Sequence, residues 1–119
     1  MSATETKALI AQAIERLQGE LPALRQLKLV IKLELRARGG DAPIWRVEVP
    51  GPKIDRDAGG DARVEVSVAR SDFNELARDG RLSQWADAYA RGHVNVAGDP
   101  AVTKLLANVI ERHLARARA

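Results

Sequence analysis

RGHVNVAGDPAVTKLL, residues 91–106, decides how this chain folds. Gly92 precedes a short alternating run in which Val94 and Val96 share one side and His93 and Asn95 the other, the period of a half-buried strand. Gly98 then allows an abrupt change of direction. Asp99 suits a helix N-cap, and Pro100 suits the first helical position, where the missing N–H costs nothing. Val102, Leu105, Leu106, Val109 and Ile110 follow at helical spacing. A strand passed so directly into a long helix fixes where that helix leaves the sheet.

Working back from this stretch, Ser83 is expected to cap a short helix carrying Trp85, Ala86 and Tyr89, ended by Gly92. Another helix is expected over about 72–79, with Ser71 or Asp72 as its cap, Phe73, Leu76 and Ala77 on one side, and Gly80 as its stop. Before it, Val64, Val66 and Val68 alternate with Arg63, Glu65 and Ser67, which reads as a strand. The turn residues Asp57 to Asp61 separate it from a short strand at Lys53 to Asp55, and Pro50-Gly51-Pro52 ends a strand built on Trp45, Val47 and Val49. Gly39-Gly40-Asp41 supplies the reversal between that strand and a longer one from Leu27 to Ala37. Leu9, Ile10, Ala13, Ile14 and Leu17 make an amphipathic first helix over 3–20, with Gly19 as its stop.

This order predicts an α+β fold of two layers, a mostly antiparallel sheet with helices packed on one face and water on the other. The 119 residues, 45% hydrophobic and 29% charged, suit one domain spanning 1–119 with one core. The absence of cysteine removes disulfides, thiolate nucleophiles and thiol metal sites, and suits a reducing compartment. The N-terminal residues lack the pattern of a secretory signal and no segment is apolar enough to cross a bilayer, so a soluble, cytoplasmic protein is expected. The net charge is +3, with the excess concentrated where Arg25, Lys28, Lys32, Arg36 and Arg38 face Glu34 alone.

Residues 62–110, ARVEVSVARSDFNELARDGRLSQWADAYARGHVNVAGDPAVTKLLANVI, resemble the sterol carrier protein 2 family of lipid-transfer domains. The resemblance is carried by the Ala-led strand, the Ser-Asp-Phe helix start, the two Gly-ended helices, the Val-x-Val strand and Gly98-Asp99 opening the last helix. It implies a five-stranded sheet with helices over one face and an apolar cavity between the layers. It also implies binding of a sterol, fatty acid, acyl-CoA or other lipid without chemical transformation, or an accessory role in an enzyme or quinone-pathway assembly. The chain departs from the eukaryotic carriers by closing on RARA, not a peroxisomal Ser-Lys-Leu type tripeptide.

On that reading the cavity is lined by Trp45, Phe73, Leu76, Trp85 and Tyr89, with Leu105, Leu106, Val109 and Ile110 from the last helix. Three of the four aromatic residues fall within residues 73–89, and the bland alternative is that they merely fill a core. The end of the last helix, with Val109, Ile110 and Leu114, is either a movable cover or a plain packing element.

No catalytic role and no cofactor is expected. His93 and His113 stand apart with no metal-ligand spacing, Ser71 and Ser83 have helix caps to form, and no serine lies in a nucleophile-elbow context. Lys28, Lys32, Arg36 and Arg46 would share a strand face, but without interleaved aromatics and with Glu34 and Glu48 among them, so a solvated face is favoured over nucleic-acid binding. Weak attraction to an anionic membrane surface is a milder form of the same idea. The expected partner is therefore a lipid or other apolar small molecule, and a protein partner for a filled-core module is the competing reading.

Overall fold

A computed structural model describes residues 3–37, 43–56 and 60–118. Its elements run α1 (Ala3–Glu20), a single-turn 3-10 helix (Pro22–Gln26), β1 (Leu29–Arg36), β2 (Ile44–Val49), β3 (Lys53–Arg56), β4 (Val64–Ala69), α2 (Arg70–Asp79), α3 (Leu82–Ala90), β5 (Val94–Gly98) and α4 (Pro100–Arg118). The strands form one five-stranded sheet in the order β3-β2-β1-β4-β5. Three of the four ladders are antiparallel, and β1 with β4 is parallel. The α+β expectation with a mostly antiparallel sheet holds.

Alternation along each strand places Leu33, Leu35, Trp45, Val47, Val49, Ile54, Val68 and Val94 on one face of the sheet. Leu9, Ile10 and Ala13 of α1 and Phe73 and Ala77 of α2 pack against them as one core. The opposite face is polar. There Lys32 lies 3.8 Å from Glu65, and Ser67 donates a hydrogen bond to Glu34. Arg46 donates from Nε and Nη2 to the Asp61 carboxylate at 3.0 and 2.7 Å, and from Nη1 to Glu48 at 3.1 Å. Because Arg46 stands on the polar face, this fork pins the β3–β4 connection across that side of the sheet. These hydrogen bonds hold Asp61 below the usual carboxylate range and raise Arg46 further.

Several local expectations change. β1 begins at Leu29, two residues later than the apolar alternation suggested, because Leu24 to Leu27 close the 3-10 turn instead. Gly19 does not stop α1, which runs on to Glu20. Neither Ser71 nor Asp72 caps α2; the helix starts at Arg70, straight out of β4, and its N-cap Ala69 offers no side-chain acceptor. The Arg70 guanidinium instead donates to the Thr6 hydroxyl of α1. Ser83 does not cap α3 either. The helix begins at Leu82 with Arg81 as its N-cap, two residues earlier than a Ser83 cap would set it, and the Leu82 N–H donates at 2.7 Å to Glu20, a carboxylate brought from the end of α1. His93 precedes β5 and does not sit on a strand face; its ring lies 3.8 Å from Asp72. The reversal at Gly39-Gly40-Asp41 and residues 57–59 of the next turn lie outside the described residues.

The strand-to-helix junction forms as its residues dictate. Asp99 accepts from the Ala101 N–H at 2.9 Å, and Pro100 is the first residue of α4. The Asp99 N–H donates to Arg63, which ties the junction to the residue before β4. Gly98 adopts φ +129°, a conformation that side chains rarely take. Gly80 ends α2 for a different reason: its φ is an ordinary −71°, but a β-carbon there would lie 2.4 Å from the Leu76 carbonyl oxygen.

Candidate functional site

One row of side chains crosses the apolar face from edge to edge. Pairing sets Arg56 opposite Trp45, Trp45 opposite Leu33, Leu33 opposite Val66 and Val66 opposite Val96. Burial along this row is uneven. Trp45 is 3% exposed and Leu33 is buried, whereas Val66 is half-buried and Val96 is 38% exposed. Leu29 and Ile31 at the start of β1 are also only half-buried. The helices therefore seal Trp45, Leu33, Leu35, Val68 and Val94, and leave Val66 and Val96, with Leu29 and Ile31 at the start of β1, incompletely covered.

The long helix α4 reaches this part of the molecule through β5. Val102, Thr103, Leu106, Val109, Ile110, His113 and Leu114 are half-buried and recur at spacings of one, three and four, so they share one side of the helix. Every other residue of α4 whose burial is described is exposed, and none is buried. A helix of this composition seated on a sheet would bury several of its large apolar side chains outright. Here its apolar side is turned inward without being packed home.

The nine residues predicted to line a cavity divide accordingly. Trp45 and Phe73 are core residues, and Phe73 meets the half-buried Trp85 edge to face with ring centroids 6.1 Å apart. Leu76 is half-buried against the same core. Leu106, Val109 and Ile110 lie on the inward side of α4. Tyr89 and Leu105 are not gathered with them: they are 58% and 48% exposed. The incompletely covered strand residues Leu29, Ile31, Val66 and Val96 were placed on apolar strand faces by their alternation, but only the helix packing singles them out.

Trp45 has a second property. Its indole Nε1 is buried and has no hydrogen-bond partner among the described residues. The Arg56 guanidinium lies over the same ring, 5.1 Å from its centroid. Arg56 is exposed and makes no ion pair with any described residue. Sequence reasoning missed Arg56, since only strand register puts it beside Trp45.

Two open hollows mark the surface. One of about 340 Å³ is lined by Lys28, Leu29, Val30, Glu48, Val49, Pro50, Gly51 and Lys53 at the start of β1. The other, about 410 Å³, is bounded by Arg16, Glu20, Asp79 and Arg81. Neither is the expected enclosed space between sheet and helices. No group of three or more metal-ligating side chains occurs among the described residues. None of the described helices is long and apolar enough to cross a membrane.

No protein-family model and no curated protein matches the chain. Solved structures do. Palmitated SCP2L2 from Aedes aegypti superposes with a TM-score of 0.57 at 24% identity, covering 85% of this chain and 93% of that one. The sterol carrier protein domain 2 of Helicoverpa armigera gives 0.61 at 14% identity, covering 90% and 85%. The ubiquinone synthesis protein UbiJ-SCP2 gives 0.52 at 20% identity, covering 92% and 93%. These likenesses cover 85%, 90% and 92% of the chain, and the fold is that of sterol carrier protein 2.

Proposed function

We propose that this chain, acting as a one-domain module in the cytoplasm, binds a fatty acid, sterol or other lipid and carries or presents it without transforming it. The observation that carries this reading is the pairing of an incompletely covered apolar sheet region with a helix whose apolar side is inward but nowhere buried. An acyl chain fits the chemistry of such half-covered apolar surfaces. Each buried methylene contributes about 0.8 kcal/mol, so a dozen contribute about 10 kcal/mol before the costs of association and ordering, enough for micromolar affinity. Support also comes from solved structures of this fold that hold palmitate, including SCP2L2 and sterol carrier protein 2 of Aedes aegypti. Selectivity then rests on the length and shape of those surfaces.

Native mass spectrometry of protein purified from cells, followed by titration of the delipidated protein with a fluorescent acyl probe, tests the reading. A co-purifying lipid or saturable uptake supports it. A clean apo mass together with no uptake removes it.

The exposed Tyr89 and Leu105 favour a second reading, an accessory subunit of a lipid or quinone assembly. UbiJ-SCP2 is a ubiquinone synthesis protein of the same fold. Under that reading the chain co-purifies with a protein and not with a lipid.

A further inference from the structure

We propose that β5 is a self-pairing edge: two copies of this chain join through antiparallel β5 strands about a two-fold axis at Val96, making one continuous sheet. This goes beyond the lipid-binding reading and does not depend on it.

β5 ends the strand order, so one of its sides has no strand beside it. Register decides which backbone groups face that side. The Asp99 N–H donates to the Arg63 carbonyl across the β4–β5 ladder, and hydrogen-bonded pairs recur at every second residue of such a ladder. With Ser67 opposite Asn95 and Glu65 opposite Ala97, Asn95 and Ala97 therefore turn their N–H and C=O groups to β4. Val94, Val96 and Gly98 turn theirs outward, where no described residue bonds them. Asn95 to Gly98 are all exposed, so the edge is open to solvent.

A bare edge invites another strand, and proteins defend one with charge, proline or a bulge. The opposite edge is defended in this way. β3 carries the exposed Lys53, Asp55 and Arg56 directly after Pro52, and pairing it antiparallel with its own copy would set Lys53 opposite Arg56. β5, Val-Asn-Val-Ala-Gly, has no charge and no proline, and its register with β4 runs without a bulge. Charge thus repels a second copy from one edge and leaves the other free to take it.

A second copy fits because β5 is its own complement. Laid antiparallel about Val96, it sets Val96 opposite Val96 of the second copy, where the two exchange both hydrogen bonds, and sets Val94 opposite Gly98 and Asn95 opposite Ala97. The outward groups are then paired, and no like charges face each other. Because the axis runs through the sheet, both apolar faces lie on the same side. Val96, 38% exposed in one copy, gains a β-branched neighbour, and the Val66–Val96 row of one copy continues into that of the other. A contact of five residues is small, so the association is weak and depends on concentration.

Sedimentation of the full chain from about 10 μM to about 1 mM tests this, with Val96→Lys, Val96→Glu and their equimolar mixture beside the wild type. Expected is a mass that climbs from monomer towards dimer as the wild type is concentrated. Each variant sets like charges opposite each other at the axis and should associate at least tenfold more weakly, while the mixture sets Lys opposite Glu and should recover the dimer. Amide exchange on the wild type needs no variant. The Val96 amide should exchange fast in dilute protein and at least tenfold more slowly in concentrated protein, with the Ala97 amide protected in both. A wild type monomeric throughout, a dimer that Val96→Lys leaves as strong, a mixture no tighter than either variant alone, or a Val96 amide indifferent to concentration overturns the proposal. A chain that stays monomeric but takes an unrelated extended peptide onto β5 overturns it too, since the edge then serves another partner. None of these outcomes bears on lipid uptake, which the acyl-probe titration reads separately.

Discussion

Gly98 lies against Arg63 so closely that a β-carbon on it would come within 2.2 Å of the Arg63 carbonyl oxygen. The same residue has φ +129°. Gly98→Ala therefore meets both backbone strain and a collision with main chain that cannot swing aside, and should cost about 3 kcal/mol or more. Chemical denaturation measures it. A loss below about 1 kcal/mol would show that β5 shifts freely against β4.

Asp99 supplies one acceptor to the first turn of α4. Asp99→Ala should lower stability by about 1 kcal/mol, while Asp99→Asn or Asp99→Ser, which retain an acceptor, should lose much less. Comparing the three by denaturation separates capping from charge.

The Arg46–Asp61 pair makes stability depend on acidity. Asp61 has a folded pKa below its unfolded value, so the unfolded chain binds more protons, and its contribution is present above the unfolded pKa and lost as pH falls through the folded one. Melting temperature should drop below about pH 4, and Asp61→Asn should lower it near neutrality while flattening that part of the acid limb. Identical limbs for wild type and variant would mean that the fork does not hold in solution.

Phe73 is buried on α2 and meets Trp85 of α3 edge to face. Phe73→Ala should cost about 3–5 kcal/mol, through lost burial and the cavity left between α2 and the sheet. A smaller loss, with the Trp85 fluorescence unshifted, would mean that the neighbouring side chains close over the space.

Removing residues 110–119 takes away the second half of α4 but no residue of the core. The shortened chain should keep the circular dichroism and cooperative melting of a folded sheet, yet bind a fluorescent acyl probe at least tenfold more weakly. Unchanged binding would confine the ligand to the α1–α3 side.

Much of this architecture was legible because strands and helices leave different periods in the chain. Val64, Val66 and Val68 alternate as a strand must, and Gly98-Asp99-Pro100 form the junction their side chains and backbones favour. The parallel pairing of β1 with β4 was not legible, since Ile31 opposite Val64 obeys the same alternation that an antiparallel register would. Helix starts failed where a distant group took over. Ser83 is a good local cap, but Glu20, more than sixty residues away, reaches the first amide of α3. The aromatic residues were legible as apolar; which of them is sealed in and which meets water depends on how three helices share one sheet face. Trp45 and Tyr89 consequently end at opposite extremes of exposure.

The central ladder has a consequence for how the chain reaches this state. β1 finds its second neighbour only after β2 and β3 have been laid down on its other flank, since Ile31 must wait for Val64. Closing a loop of that length is entropically costly before any pairing rewards it, so the middle of the sheet should zip up late while the β1–β2–β3 meander assembles early. During synthesis a growing chain that has not yet delivered β4 offers one bare, valine- and leucine-rich margin. That interval is when sticking to other chains is most dangerous.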